Sequence, residues 1–209
     1  METNSEFSPL LWKDRFVEAN RTLLRFARNP VAQMGALPDW DWNFLLICQA
    51  IAAASAGVLA GLVSRNFMGV IAGLIFVPLS NALMTAVLSG ILYYFFAYAM
   101  KQVVPYRSIY THFVFAQLPG LCTMIVAPLF APLILVGVAA SCLLLWIGLS
   151  LNHKLEKKTL GKVIVAFYAV FIGYWIFSQI GNRNKVEALR SKATPESLDI
   201  LEKELNDSK

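Results

Sequence analysis

Five long apolar stretches occupy this chain between Asn43 and Ile180, and no charged residue lies inside any of them. Across that region the sole acidic side chain is Glu156. The seven basic ones, Arg65, Lys101, Arg107, Lys154, Lys157, Lys158 and Lys162, fall in the short gaps. Each stretch approaches or exceeds the ~18–20 apolar residues that cross a bilayer core. A water-soluble fold would leave such surface uncovered, because charged residues are 15% of the chain against about 25% in an average soluble domain. The pattern predicts an all-α fold, a polytopic membrane helix bundle with five transmembrane helices and an N-terminal amphipathic helix.

The net charge of +5 needs to be located before it is interpreted. Residues 1–42 carry five basic and six acidic groups, and residues 181–209 carry six of each, so the excess lies in the gaps between spans. Bases there face phospholipid headgroups and set orientation. No nucleic-acid partner is expected. Cys48, Cys122 and Cys142 all sit in apolar segments without metal-ligand spacing, so they read as small packing residues. No cofactor, metal or cleavable signal peptide is expected.

The organisation predicted along the chain has three parts. Residues 1–42 form a polar segment containing an amphipathic helix over 9–28. There Trp12 and Phe16 share one face with Ala19, Leu23 and Phe26, while Arg21, Arg25 and Arg28 lie opposite. Such a helix either rests in the headgroup plane or docks against the protein's own spans or a partner. Asn29 and Pro30 end it. Asp39 and Asp41, between Trp40 and Trp42, read as a solvated lead-in to the first span rather than a catalytic pair.

Residues 43–180 form the membrane domain, with spans at about 43–64, 80–100, 109–127, 133–151 and 163–180. Ala53, Gly57 and Gly61 make a small-residue seam in the first. The uncharged run 67–100 is too long for one span of a ~30 Å core and too short for two. Pro78, with Ser80 and Asn81, offers a break, so 67–78 is expected as a half-helix or interfacial piece. Pro119 is expected to kink the third span near Gln117. Residues 181–209 form a polar tail with a short helix in TPESLDILEKEL. With the N-terminus inside, Lys and Arg near span ends number eight inside and five outside. A dip and return over 163–180 would change that to twelve and one.

One run of motifs carries a family resemblance. VPYRSIYTHFVFAQLPG follows a Tyr- and Phe-rich span end, then a proline-punctuated hairpin leads to LLLWIGLSLNHKLEKKTLGKV and a last span. This order resembles the Yip (Ypt-interacting-protein) membrane family in its bacterial branch, over about residues 25–180. The family's central Ala-x-x-Pro motif is matched by Ala116 and Pro119, and its apolar Trp-x-Gly-Leu run by Trp146, Gly148 and Leu149. The Asp-Leu-Tyr-Gly-Pro motif of eukaryotic members does not occur here. The resemblance implies a polar N-terminal segment, five spans and, for that branch, no agreed biochemical activity.

Chemistry narrows the function further. An intramembrane hydrolase needs an activated nucleophile, paired carboxylates or a metal set, and His112 reads instead as a satisfied interfacial residue. Ion coupling places acids or paired charges at membrane depth, and the spans contain none. The expectation is a non-enzymatic, multi-pass integral membrane protein acting through membrane or partner organisation, in a trafficking-like or envelope role. Its partners are the lipid bilayer and other proteins or further copies of itself, and its location is the cytoplasmic (inner) membrane if bacterial. The alternative is an uncharged-solute or lipid facilitator working at the breaks, with Pro78, Asn81, Gln117 and Pro119 as its intramembrane positions. Trp12, Phe16, Arg21, Arg25 and Arg28 are the expected contacts to membrane surface or partner.

Overall fold

The structure, a computed structural model, describes residues 9–153 and 156–192, with side chains over 12–153 and 156–181. The chain divides into two compact units, residues 1–165 and 166–209. Among the described residues every regular element is a helix: α1 (Pro9–Arg28), α2 (Pro30–Gln33), α3 (Trp42–Val63), α4 (Phe67–Tyr98), α5 (Tyr106–Ala116), α6 (Leu118–Val126), α7 (Leu133–His153) and α8 (Lys157–Lys192). Five helical stretches are long and apolar enough to cross a membrane: α3, α4, the α5–α6 pair, α7 and α8 as far as Gly181.

Helices α3 and α4 form the tightest pair in the first unit. Their turn is three residues long because Arg65 takes the left-handed conformation, with φ of 52°. Arg65 N–H then reaches the Leu62 carbonyl and Asn66 N–H the Gly61 carbonyl, which closes the end of α3. Asn66 immediately caps α4 by accepting from Gly69 N–H at 3.2 Å. Beyond the turn, Gly57 lies against Gly73 and Gly61 against Val70, backbone to backbone. The Gly57–Gly61 seam is thus met by glycines of α4, the close approach that small residues permit inside a bilayer.

That cap also explains why 67–78 is not a separate half-helix. Helix α4 runs unbroken for 32 residues through Pro78. A proline removes one N–H and crowds one carbonyl, and the turns on either side remain hydrogen-bonded. At 1.5 Å per residue α4 is about 48 Å long, so it tilts or emerges from a ~30 Å core. The pairings with α3 place the last two turns of α4, carrying Tyr93, Tyr94 and Tyr98, beyond the start of α3.

The third span divides. Gln117 ends α5, and α6 begins with Pro119 in its first turn. The orphaned Gly120 N–H donates to Ser141 Oγ of α7 at 3.3 Å, so a neighbouring helix restores what the break removes. Helix α8 is continuous from Lys157 and extends past residue 180 to Lys192, with no reversal that would make 163–180 a dip. The tail helix expected in TPESLDILEKEL lies outside the described residues.

Candidate functional site

Two polar constellations stand out in the first unit, one at membrane depth and one at its edge. Gln49 sits seven residues into α3, about 10 Å below the helix start at 1.5 Å per residue. Its Nε2 donates to Asn81 Oδ1 at 2.8 Å and to Thr85 Oγ1 at 3.0 Å, and its Oε1 accepts from the Tyr110 hydroxyl at 2.6 Å. Asn81 Nδ2 donates to Gln117 Oε1 at 3.0 Å. The Thr85 hydroxyl lies 2.8 Å from the Asn81 carbonyl and 3.2 Å from Gln117 Oε1, sharing its proton between them. Five side chains from three spans are therefore linked by hydrogen bonds to one another at membrane depth.

Two of the expected intramembrane positions, Asn81 and Gln117, are thus brought together. Pro78 and Pro119 are half-buried and make no part of the network. Thr85 and Tyr110 are members that the sequence reading passed over. The signal was there: Thr85 is four residues after Asn81, and Tyr110 is seven before Gln117, each on its neighbour's helix face.

The second constellation lies on the membrane face that carries the residues before α3, the loop between α4 and α5, and the end of α7. His112 is 3% exposed. Its Nδ1 lies 2.6 Å from the Ser108 carbonyl, which can only accept, so Nδ1 carries the proton. Nε2 then accepts from Asn152 Nδ2 at 2.7 Å. The same amide group donates to the Met34 carbonyl at 2.7 Å, tying α7 to the segment after α2. His153 Nε2 and Ser108 Oγ are 3.0 Å apart. These residues border a cleft of about 520 Å³ whose other walls are residues 35–39, Pro105, Arg107 and Thr111. Both ring nitrogens of His112 are satisfied, and among the described residues no nucleophile or carboxylate is bonded to it.

The acidic lead-in also finds its partners. Asp39 pairs with Arg107 at 3.0 Å and Asp41 with Arg15 at 2.8 Å, and Arg107 donates to the Trp40 carbonyl as well. Around them the rings form two groups, Trp40 on Phe44 and Trp42 on Tyr106, which also meets Tyr93, as interfacial rings do at a bilayer surface.

Of the expected surface contacts, Trp12 and Phe16 on α1 both pack on Phe44 of α3, and Phe26 packs on Phe115 of α5. Arg21, Arg25 and Arg28 are exposed. The three cysteines are free. Among the described residues no group of three or more His, Cys, Asp or Glu side chains is placed to hold a metal ion.

Comparison with known proteins agrees with this architecture. No curated protein and no solved structure matches the chain. A family model for the Yip1 domain does, over residues 24–180, from the last turns of α1 through the apolar part of α8. By that match, which covers well over half of its length, this multi-pass integral membrane protein belongs to the Yip1 domain family.

Proposed function

We propose that the protein is a non-enzymatic membrane organiser, a helical scaffold that works through its contacts with lipid and with partner proteins or further copies of itself. The observation that carries this reading is the hydrogen-bonded network of Gln49, Asn81, Thr85, Tyr110 and Gln117. A facilitator built on the breaks would hold Asn81 and Gln117 open to a passing solute or headgroup. Here their amides are bonded to each other and to α3, which fixes helix register. The organising surface is the face bearing α1, with Arg21, Arg25 and Arg28 turned outward. The excess of Lys and Arg supports placing that face in the cytoplasm, of the inner membrane in a bacterium.

Reconstitution tests the reading. Liposomes containing the full chain are expected to move neither small uncharged solutes nor fluorescent phospholipid faster than protein-free vesicles. Crosslinking in native membranes is expected to capture the α1 face against a partner or a second copy. Transport that is abolished by Asn81→Ala or Gln117→Ala would overturn the scaffold in favour of a facilitator.

A further inference from the structure

The cleft beside α5 and α7 has a property the scaffold reading does not use. Its volume, about 520 Å³, falls within the ~300–1,000 Å³ of small-molecule sites. It is bordered by the first two turns of α5 and the last turn of α7. That is the level at which lipid phosphates meet the ends of membrane helices.

Counting hydrogens around the cleft gives its chemical character. Both Asn152 amide hydrogens are engaged with Met34, His112 and Gly148. The His112 proton is on the Ser108 carbonyl, and the Thr111 hydroxyl donates to the Arg107 carbonyl at 2.9 Å. Ser108 and His153 together hold at least two polar hydrogens and use one between them, whichever tautomer His153 adopts. One donor is left over. Arg107 adds a permanent positive charge, and its Nε is buried with no hydrogen-bond partner. Buried orphan donors are rare enough to call for a missing acceptor. Among the described residues the acid on the cleft is Asp39, whose side chain is 93% exposed, and an ion pair that exposed is weak and readily exchanged. The cleft therefore offers a guanidinium held only by an exposed acid, with one spare donor hydrogen beside it.

We propose that this cleft binds a phosphoryl group, held by Arg107 and the Ser108–His153 pair, with a phospholipid headgroup as its source at the bilayer surface. An anion with several acceptor oxygens meets the half-exposed guanidinium of Arg107 and the spare Ser108–His153 hydrogen together. It takes the place of Asp39 on the guanidinium, as a bidentate partner suits arginine. The site is separate from the outward arginines of α1, so it stands or falls independently of the organising role.

Thermal unfolding of the full chain in a phosphate-free non-ionic detergent tests it, with three additives compared: phosphatidylglycerol, diacylglycerol with the same acyl chains, and soluble glycerol 3-phosphate. Phosphatidylglycerol is expected to raise the midpoint in a saturable manner and diacylglycerol to leave it unchanged. Glycerol 3-phosphate that binds as tightly would keep the phosphoryl site and assign it to a soluble ligand. Arg107→Gln is expected to weaken the midpoint concentration about tenfold, the loss of roughly one charge-assisted bond. Because Arg107 also holds the Trp40 carbonyl, Ser108→Ala with His153→Gln provides a second variant, expected to weaken binding several-fold. Lys101→Gln, in the adjoining loop but off the cleft, is expected to bind as the parent does. Equal shifts with phosphatidylglycerol and diacylglycerol, or equal losses in the Lys101 and cleft variants, would overturn the site.

Discussion

Replacing Gly57 with alanine would put a methyl carbon 2.5 Å from the Gly73 carbonyl oxygen and 2.8 Å from its Cα. Favourable carbon contacts lie at about 3.5–4.0 Å, so α3 and α4 must separate by roughly 1 Å. Neither obstructing atom belongs to a side chain that could rotate away. Overpacking of this kind costs about 1–3 kcal/mol, and the better helix propensity of alanine returns up to about 1 kcal/mol. The net expectation is a loss of about 1–2 kcal/mol. Gly90 in α4 supplies the control, since a Cβ there meets nothing within 4 Å. Gly90→Ala is expected to be neutral or stabilising by up to about 1 kcal/mol. Propensity cancels between the two substitutions, and the difference of about 2 kcal/mol isolates the helix contact. The double variant Gly57→Ala, Gly73→Ala should lose less than the sum of its singles, because one separation accommodates both methyls. Equilibrium unfolding of the full chain in mixed micelles, followed by tryptophan fluorescence and far-ultraviolet circular dichroism, measures all four. Equal stabilities for the Gly57 and Gly90 variants would refute the backbone-to-backbone packing of α3 on α4.

Two further substitutions address the membrane interior, with the same unfolding assay. Gln49→Leu removes three hydrogen bonds; at about 0.6 kcal/mol each inside a bilayer the loss is about 2 kcal/mol. A double-mutant cycle with Thr85→Val should then show coupling, and strict additivity would mean the two side chains do not share a bond. Pro78→Ala restores one N–H to a helix that is already continuous, so stability should be unchanged or raised by about 1 kcal/mol, below the ~3 kcal/mol of a water-soluble helix interior. Marked destabilisation would show that Pro78 sets a bend on which packing depends.

The outcome at Pro78 shows where local reading stops. Thirty-four uncharged residues with a proline inside suggested a half-helix and a fresh start near residue 80, because a proline interrupts a helix when water competes for the freed carbonyl. In lipid that competitor is absent, and Asn66 caps α4 at Phe67, so continuing the helix is the lower-energy course. At Pro119 the same residue type accompanies a division, because Ser141 of α7 is present to accept the Gly120 N–H. Nothing local distinguishes the two prolines; their neighbours do. Likewise Asp39 and Asp41 could be judged non-catalytic from composition, while their pairing with Arg107 and Arg15 joins residues far apart in the chain.

The sequence by itself determined that this is a five-span helical membrane protein and that its long apolar stretches hold no charge. Both are properties of contiguous runs, set by the match between apolar length and bilayer thickness. It also made Asn81 and Gln117 conspicuous, since a polar amide within an apolar run is visible one residue at a time. Only the tertiary structure decided that those amides bond to each other, that Thr85 and Tyr110 complete their network, and that His112, His153, Ser108 and Arg107 border one cleft. Lipid gives α-helices no reason to prefer one apolar face over another. Which faces meet is set by glycine contacts and polar bonds between helices, information that is spread over separate spans and becomes physical only when they pack.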